Sequence, residues 1–361
     1  MGWVNEDAAD GNIVRVFAVI NQPQMPVVQG SHSRDKAYFF AFFFLLTDIV
    51  GKLICLFKND HDNELEQLQW SLLTINKYFC KPFCDFKTVK MSAKKRILFI
   101  ANEMSPYLEL TEFSEIVNRL AVKSNESGFE VRCIMPRFGA INERRHRLHE
   151  VVRLSGINVS IDNEDFPLQI KVASLPNARL QVYFLDNEDL FKRKFIFTDE
   201  NEKWYDDNGL RTIFFCKGAL ETVKKFGWPP DVIHCSGWMA GLIPMYLKTV
   251  YKKEPVFAHS KIVYTIGQTT FKEKLGSDFL AKASIHPNIK DKDLEPYKEV
   301  NNIAMFRGGA TYADAISFGA EKVDKKLVDE FSKVRGKKTL PYNAESDLTD
   351  YLQLYGDLAN K

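Results

Sequence analysis

Several signatures of common functions are missing from this sequence of 361 residues. No G-x-G-x-x-G motif follows the first predicted strand, which leaves a nicotinamide or flavin site without support. No P-loop sequence occurs. There is also no nucleophile elbow, since Ser236 lacks the flanking glycines of that motif. A formal net charge of +2 gives no global basic field, so we expect no nucleic-acid partner.

Cysteine is sparse, with six residues that show no framework spacing. Cys80 and Cys84 could form half of a metal site, but no second Cys or His pair stands at a matching spacing. We therefore expect reduced, mostly buried cysteines in a cytoplasmic protein, with neither a bound metal nor a cofactor.

Residues 1–90 differ in pattern from the rest of the chain. Their aromatic block at residues 37–47 is shorter than the roughly 20 apolar residues of a membrane span, and Asp48 and Lys52 interrupt it. We do not favour membrane association. We predict that 1–90 is an atypical amino-terminal extension, either buried, disordered or not part of the native protein, and that 91–361 is the main domain.

From Met91 onward, strand and helix patterns alternate. Apolar runs predict parallel strands at 96–101, 130–136, 232–235, 262–266 and 313–318. Amphipathic patterns predict helices at 112–127, 210–226, 238–248, 322–331 and 347–358. Three antiparallel strands at 151–160, 168–175 and 180–184 form an insertion. The predicted fold class is α/β, a Rossmann-like, doubly wound, mostly parallel sheet with a β-rich insertion.

In such a sheet, ligands bind beyond the carboxyl ends of the parallel strands. Four loops therefore matter most for function. They follow Ala101, Met135, Cys235 and Ile266.

A set of ordered motifs resembles one family. Residues 230–248 read P-D-V-I-H-C-S-G-W-M-A-G-L-I-P-M-Y-L-K, and further matches lie at 97–106, 128–136, 211–220, 264–266 and 308–314. Together they resemble the amino-terminal catalytic domain of glycogen and starch synthases, over residues 95–321. The resemblance implies a single GT-B lobe, and a reaction that transfers glucose from ADP-glucose to an α-1,4-glucan with retention of configuration.

The loop after the first strand departs from the family pattern. The family carries K-x-G-G here, in which the Lys and the backbone amides hold the sugar nucleotide. In this chain Glu109 stands at the Lys position, and Thr111 and Glu112 replace the glycines. A carboxylate repels a pyrophosphate, and side chains in place of glycine block the approach of a ligand to the backbone.

Two other loops have lost family groups. Ser236 and Gly237 stand where the family has a His and an Asp. In the T-I-H-N loop, Gly267 replaces the His and Gln268 follows it. We also expect the second GT-B domain, which grips ADP-glucose in the family, to be missing beyond the matched segment.

Four residues remain as substrate-binding candidates by resemblance: His234, Trp238, Ser236 and Gln268. In the functional interpretation, Trp238 stacks on a pyranose ring. In the alternative, which we favour for His234 and Trp238, both residues pack inside the fold.

Charged residues elsewhere carry less weight. Glu103, Arg137 and Asp314 lie at loop ends, and we expect them to be solvated or helix-capping rather than catalytic. The basic cluster at residues 144–147 could meet phosphate or an acidic partner, although an exposed charged helix is the simpler interpretation.

We therefore predict a glycosyltransferase by resemblance that is weakly active or inactive alone, in effect a pseudoenzyme. Three alternatives stay open. The chain is a non-catalytic module that binds α-glucan or has a regulatory role, a scaffold for protein interaction, or one half of a split enzyme. In the last case a protein partner supplies the second lobe.

Overall fold

The computed structural model describes residues 94–176, 178–343 and 348–360. The predictions made for residues 1–90, which include the aromatic block and the cysteines Cys80 and Cys84, lie outside the described residues. Among the described helices, none is both long enough and apolar enough to cross a bilayer.

Strands and helices alternate along the described chain. The strands are β1 (Arg96–Ala101), β2 (Glu130–Pro136), β3 (His149–Glu150), β4 (Ile157–Ile161), β5 (Glu164–Leu175), β6 (Leu180–Asp186), β7 (Val232–Ser236), β8 (Lys261–Ile266), β9 (Ala315–Phe318) and β10 (Lys338–Leu340). The helices are α1 (Phe113–Glu126), α2 (Glu143–His146), α3 (Glu188–Phe191), α4 (Asn208–Phe226), α5 (Ile243–Lys248), α6 (Phe279–Ala283), α7 (Asp291–Leu294), α8 (Asn302–Tyr312), α9 (Lys325–Phe331) and α10 (Thr349–Ala359).

The described strands form a ten-stranded sheet in the order β10-β9-β8-β7-β1-β2-β6-β5-β3, with β4 paired to β5. The strands from β10 to β6 pair in parallel. The strands β3, β4 and β5 pair antiparallel and form the β-rich insertion. The strand predicted in the insertion at 180–184 is β6, which pairs parallel with β2 and antiparallel with β5, so that it belongs to the parallel part of the sheet. The prediction of a mostly parallel α/β sheet with a β-rich insertion is therefore confirmed.

Strand β1 lies at the centre, with β2 on one side and β7 on the other. The apolar run from Ile97 to Ile100 is fully buried, as a strand covered on both faces requires. Because the strand order reverses at β1, the loops beyond its carboxyl end diverge and leave room for a crevice.

The predicted helix at 238–248 is broken in two. A 3-10 turn covers Trp238–Ala240, and α5 begins only at Ile243. Pro244 lies in the first turn of α5, where its missing N–H costs no hydrogen bond. The strand predicted at 313–318 begins at Ala315, since α8 continues to Tyr312.

Helix α8 was not predicted, because Gly308 and Gly309 make its sequence look like a loop before a strand. A Cβ atom at Gly308 would lie 2.0 Å from the ring of Tyr297, and one at Gly309 would lie 2.4 Å from the ring of Tyr264. The two glycines therefore allow the backbone of the helix to rest directly on two aromatic rings.

The hydroxyl groups of these two tyrosines hold the loop after β7. Tyr264 donates to the carbonyl of Gly237 at 3.1 Å, and Tyr297 donates to the carbonyl of Gly241 at 2.8 Å. Helix α8 thus packs against the two tyrosines that hold the loop after β7, which is one of the loops that the sequence marks as functional.

Gly309→Ala should lower the free energy of unfolding by about 1–3 kcal/mol, because the new methyl group overpacks against Tyr264. Gly356→Ala is the matched control, since Gly356 is also inside a helix and nothing lies within 4 Å of an added Cβ. This control should stabilise the protein by about 0.5–1 kcal/mol. Urea unfolding measures both changes, and equal effects would contradict the packing argument.

Candidate functional site

A cleft of about 1030 Å³ opens at the carboxyl edge of the parallel strands. The loop after β1, the start of α1 and the loops after β8 and β9 form its walls. Its charged lining residues are Glu109, Glu112, Glu115, Glu321, Arg119 and Lys322. Four carboxylates against two cations give the cleft a negative formal charge, which disfavours anionic ligands.

Glu103 organises the loop after β1. Its carboxylate accepts hydrogen bonds from the backbone N–H groups of Leu110 (2.8 Å) and Thr111 (2.6 Å) and from Thr111 Oγ1 (2.8 Å). Burial raises the pKa of Glu103, and these hydrogen bonds oppose the shift. The residue is buried rather than solvated, and its hydrogen bonds fix the conformation of the loop at Leu110 and Thr111.

Glu109 and Glu112 both line the cleft. The Glu109 carboxylate is exposed and accepts a hydrogen bond from Ser105 Oγ at 2.8 Å. Glu112 is the N-cap residue of α1, with a helical backbone and no side-chain cap bond. The structure therefore places a carboxylate on the cleft wall at the position where the resemblance leads us to expect a lysine.

His234 lies in the interior, on β7. It is fully buried, and its ring nitrogens form hydrogen bonds with the hydroxyl of Tyr355 and with Thr265 Oγ1, both at 2.6 Å. Thr265 Oγ1 in turn lies 2.6 Å from Ser317 Oγ. Burial lowers the pKa of His234 to about 3, so the ring is neutral near pH 7. This chain of hydrogen bonds joins β7, β8, β9 and α10.

Trp238 belongs to an aromatic cluster and not to the cleft wall. Its ring centroid lies 5.1 Å from that of Phe197, 6.3 Å from that of Trp204 and 4.7 Å from that of Phe271. Only 3% of its surface is exposed, which leaves no open ring face for a pyranose.

Ser236 and Gly237 complete the loop after β7. Ser236 is buried, and its Oγ has no hydrogen-bond partner among the described residues. Gly237 has φ 83° and ψ 163°, a backbone conformation that is almost exclusive to glycine. Neither residue lines the cleft.

Gly267 and Gln268 follow β8 and differ in position. Gln268 is exposed and lines the cleft. A Cβ atom at Gly267 would lie 3.5 Å from the ring of Phe306, an ordinary contact distance. Position 267 therefore has room for a side chain. Of the four substrate-binding candidates, only Gln268 reaches the cleft.

Asp314 has a structural role that the sequence did not reveal. Its carboxylate accepts from the backbone N–H of Ile262 at 2.8 Å, and from Lys248 Nζ at 2.7 and 2.9 Å. These bonds tie α5 to the amino end of β8. The contact joins positions 52 and 66 residues apart, which no local pattern indicates.

Arg137 also lies in an internal network. It pairs with Glu143 and lies 3.6 Å from Asp186, while Lys171 Nζ contacts the same two carboxylates at 2.7 and 3.0 Å. Glu143 begins the short helix α2, whose arginines at positions 144 and 145 are exposed. The basic cluster at 144–147 therefore lies on the surface, next to Glu143, whose carboxylate pairs with Arg137 and Lys171.

Arg211 is a further buried cation that the sequence analysis missed. Its guanidinium donates to the carbonyl of Ile196 and to Asn208 Oδ1, both at 2.6 Å, and the rings of Phe138 and Phe191 lie 5.5 and 5.3 Å away. Burial lowers its pKa to about 10. The residue holds the loop before α4 against that helix.

The parallel sheet with its cleft over the carboxyl edge is that of one lobe of a GT-B glycosyltransferase. The chain superposes on the catalytic domain of starch synthase IV from Arabidopsis thaliana bound to ADP and acarbose, with a TM-score of 0.56 and 15% identity. The match covers 71% of this chain and 53% of that chain. At this identity the similarity concerns the fold.

The model of the starch synthase catalytic domain family matches residues 96–337, and the chain belongs to that family. It is 35% identical over 246 residues to the glycogen synthase of Chlorobium limicola, which covers 68% of this chain and 50% of the relative. It is 32% identical over 271 residues to that of Chlorobaculum parvum, covering 70% and 55%. The chain spans about half the length of the curated relatives it matches.

Lowering the pH should destabilise the protein through His234. Below pH 6.5 the unfolded chain binds a proton at this residue and the folded chain does not, down to about pH 3. Each pH unit in that window should therefore reduce the free energy of unfolding by about 1.4 kcal/mol.

The test compares wild type with His234→Gln by urea unfolding at pH 7, 6, 5 and 4.5. The stability advantage of wild type over H234Q should shrink as the pH falls. His259→Gln serves as the control, since His259 is exposed. A wild-type advantage over H234Q that stays constant across this range would show that His234 does not carry the effect.

Proposed function

We propose that this chain is a synthase-derived domain that does not, by itself, transfer glucose from ADP-glucose. The observation that carries the proposal is Glu109, whose carboxylate lies on the cleft wall where the family motif has a lysine. Two negative charges about 4 Å apart repel each other by about 1 kcal/mol in water, and by more in a partly closed site.

The neighbouring loops support the same proposal. The amides of Leu110 and Thr111 already donate to Glu103 and are not free to bind a phosphate group. Gly267 provides no side chain to contact a hexose. The loops that bind the nucleotide sugar in the family thus either lack free hydrogen-bond donors in this chain or carry a negative charge where the family has a positive one.

Transfer of radiolabelled glucose from ADP-glucose to glycogen, measured with the full chain, should not exceed a blank without protein. Glu109→Lys should bind ADP roughly 5–50-fold more tightly than wild type in calorimetry, because it removes the repulsion and adds an attraction.

Glu321→Lys is the matched control, since it makes the same change of charge elsewhere in the same cleft. It should improve ADP binding less than Glu109→Lys does. Robust transfer by the wild-type chain would falsify the proposal. Equal effects of the two lysines would show that the position of Glu109 is not decisive.

A second candidate function is the binding of a neutral α-glucan, in a regulatory or storage role. Hydroxyl and amide side chains line much of the cleft, including Ser105, Asn118, Gln268 and Thr270. Hydroxyl and amide groups both donate hydrogen bonds to sugar hydroxyls and accept from them, and carboxylates accept from them, without requiring a phosphate. Because Trp238 is buried, this binding would rest on hydrogen bonds and not on aromatic stacking.

Affinity electrophoresis through gels containing glycogen tests this function, with bovine albumin as the mobility reference. The full chain should be retarded relative to albumin, and Gln268→Ala should reduce the retardation by about half or more. Asn288→Ala provides a control, since Asn288 is an exposed amide outside the cleft lining. Unchanged mobility of wild type would reject glucan binding and favour a scaffold for protein interaction.

A protein partner that supplies a second lobe is the remaining proposal, taken from the split-enzyme alternative of the sequence analysis. Under this proposal, glucose transfer appears only when the partner chain is present. We also propose a cytoplasmic location, with which the free and buried thiols of Cys133, Cys216 and Cys235 agree.

A further inference from the structure

The loop after β1 and the loop after β7 meet where Asn102 contacts Gly237. Ala101 and Ser236 are partners in the register of β1 and β7, so Asn102 and Gly237 are the first residues beyond a paired position. Asn102 is 3% exposed, and its side chain points toward Gly237.

The contact between these two residues leaves no space for a side chain at position 237. A Cβ atom built on Gly237 would lie 1.7 Å from Asn102 Oδ1 and 2.9 Å from Asn102 Cγ. Real Cβ atoms essentially never come within 3.0 Å of another heavy atom. The carboxamide of Asn102 therefore occupies the space that any side chain at 237 would need.

A shift of the loop away from this contact is opposed by a hydrogen bond. The hydroxyl of Tyr264 donates to the carbonyl of Gly237 at 3.1 Å. The ring of Tyr264 is itself pressed against Gly309 of α8. Relief must therefore come from Asn102.

Asn102 can be replaced without losing a hydrogen bond at its oxygen. Its Oδ1 is buried and has no partner among the described residues. A buried acceptor without a donor destabilises the folded state, so a smaller residue at 102 should be tolerated. The Asn102 side chain thus fills the space next to Gly237, while its Oδ1 atom accepts no hydrogen bond from the described residues.

We propose that Asn102 acts together with the backbone conformation of Gly237 to keep position 237 without a side chain. This inference deepens the proposed function: a carboxylate at 237 needs room that the Asn102 carboxamide occupies, so that a substitution at 237 should be tolerated better when Asn102 is replaced as well.

The test is a double-mutant cycle on the full chain, made of Asn102→Ala, Gly237→Ala and the double variant. Gly336→Ala is the matched control, since Gly336 has φ +86° against +83° for Gly237 and nothing within 4 Å of its Cβ. The control reports the cost of a similar positive φ at a position where an added methyl group meets no other atom. We expect a fall in Tm of about 2–6 °C for G336A and about 6–12 °C for G237A.

Asn102→Ala should change the Tm by less than about 3 °C. The double variant should recover at least half of the excess loss of G237A over G336A. A double variant that is no more stable than G237A overturns the proposal, as does a G237A variant no less stable than G336A.

If Gly237→Ala does not fold, the other variants still test the proposal. The double variant, or Asn102→Gly with Gly237→Asp, should then regain a cooperative thermal transition, and its failure to do so counts against the proposal. The outcome is independent of the transfer assay. Glucose transfer by the wild-type chain would remove the proposed function and leave the coupling between 102 and 237 unchanged.

Discussion

The rest of the structure depends on the hydrogen bonds that hold the loop after β7 in place. Tyr264 and Tyr297 each donate to a carbonyl of this loop, and both rings lie in contact with glycines of α8. The loop is thus held by a tyrosine of β8 and a tyrosine of the turn before α8, and its conformation is set by contacts within the fold.

This constraint explains why the framework of the family persists while its chemistry changes. His234 and Trp238 are required inside the fold, the first by hydrogen bonds to one strand and one helix, the second by aromatic packing. Residues that meet the cleft, such as Glu109 and Gln268, contact few groups of the interior and can change with little effect on folding. At some positions a match to the family motif therefore reflects packing inside the fold, and at others it reflects the chemistry of the cleft.

Much of the fold could be predicted from local patterns. The helix predicted at 112–127 is observed at Phe113–Glu126, because its apolar period is regular and a glycine follows it. Contacts between distant positions could not be predicted. His234 forms a hydrogen bond with Tyr355, which lies 121 residues further along the chain. Helix α8 was missed because its two glycines, which allow aromatic rings to approach the backbone, are typical of a loop. Of the four loops named from the sequence, those after Ala101 and Ile266 line the cleft, those after Met135 and Cys235 do not, and the loop after β9, which does, was not named. His234 and Trp238 lie in the interior, as the favoured interpretation of the sequence had it.

The hydrogen bond between His234 and Tyr355 has a consequence for the dynamics of the last described helix. Terminal helices usually fray, and their amides exchange with solvent long before those of central strands. Helix α10 is instead bonded to the strand beside β1, and its departure would leave a buried imidazole nitrogen without a partner. The slowest-exchanging amides of α10 should therefore open together with those of β7, as one cooperative unit.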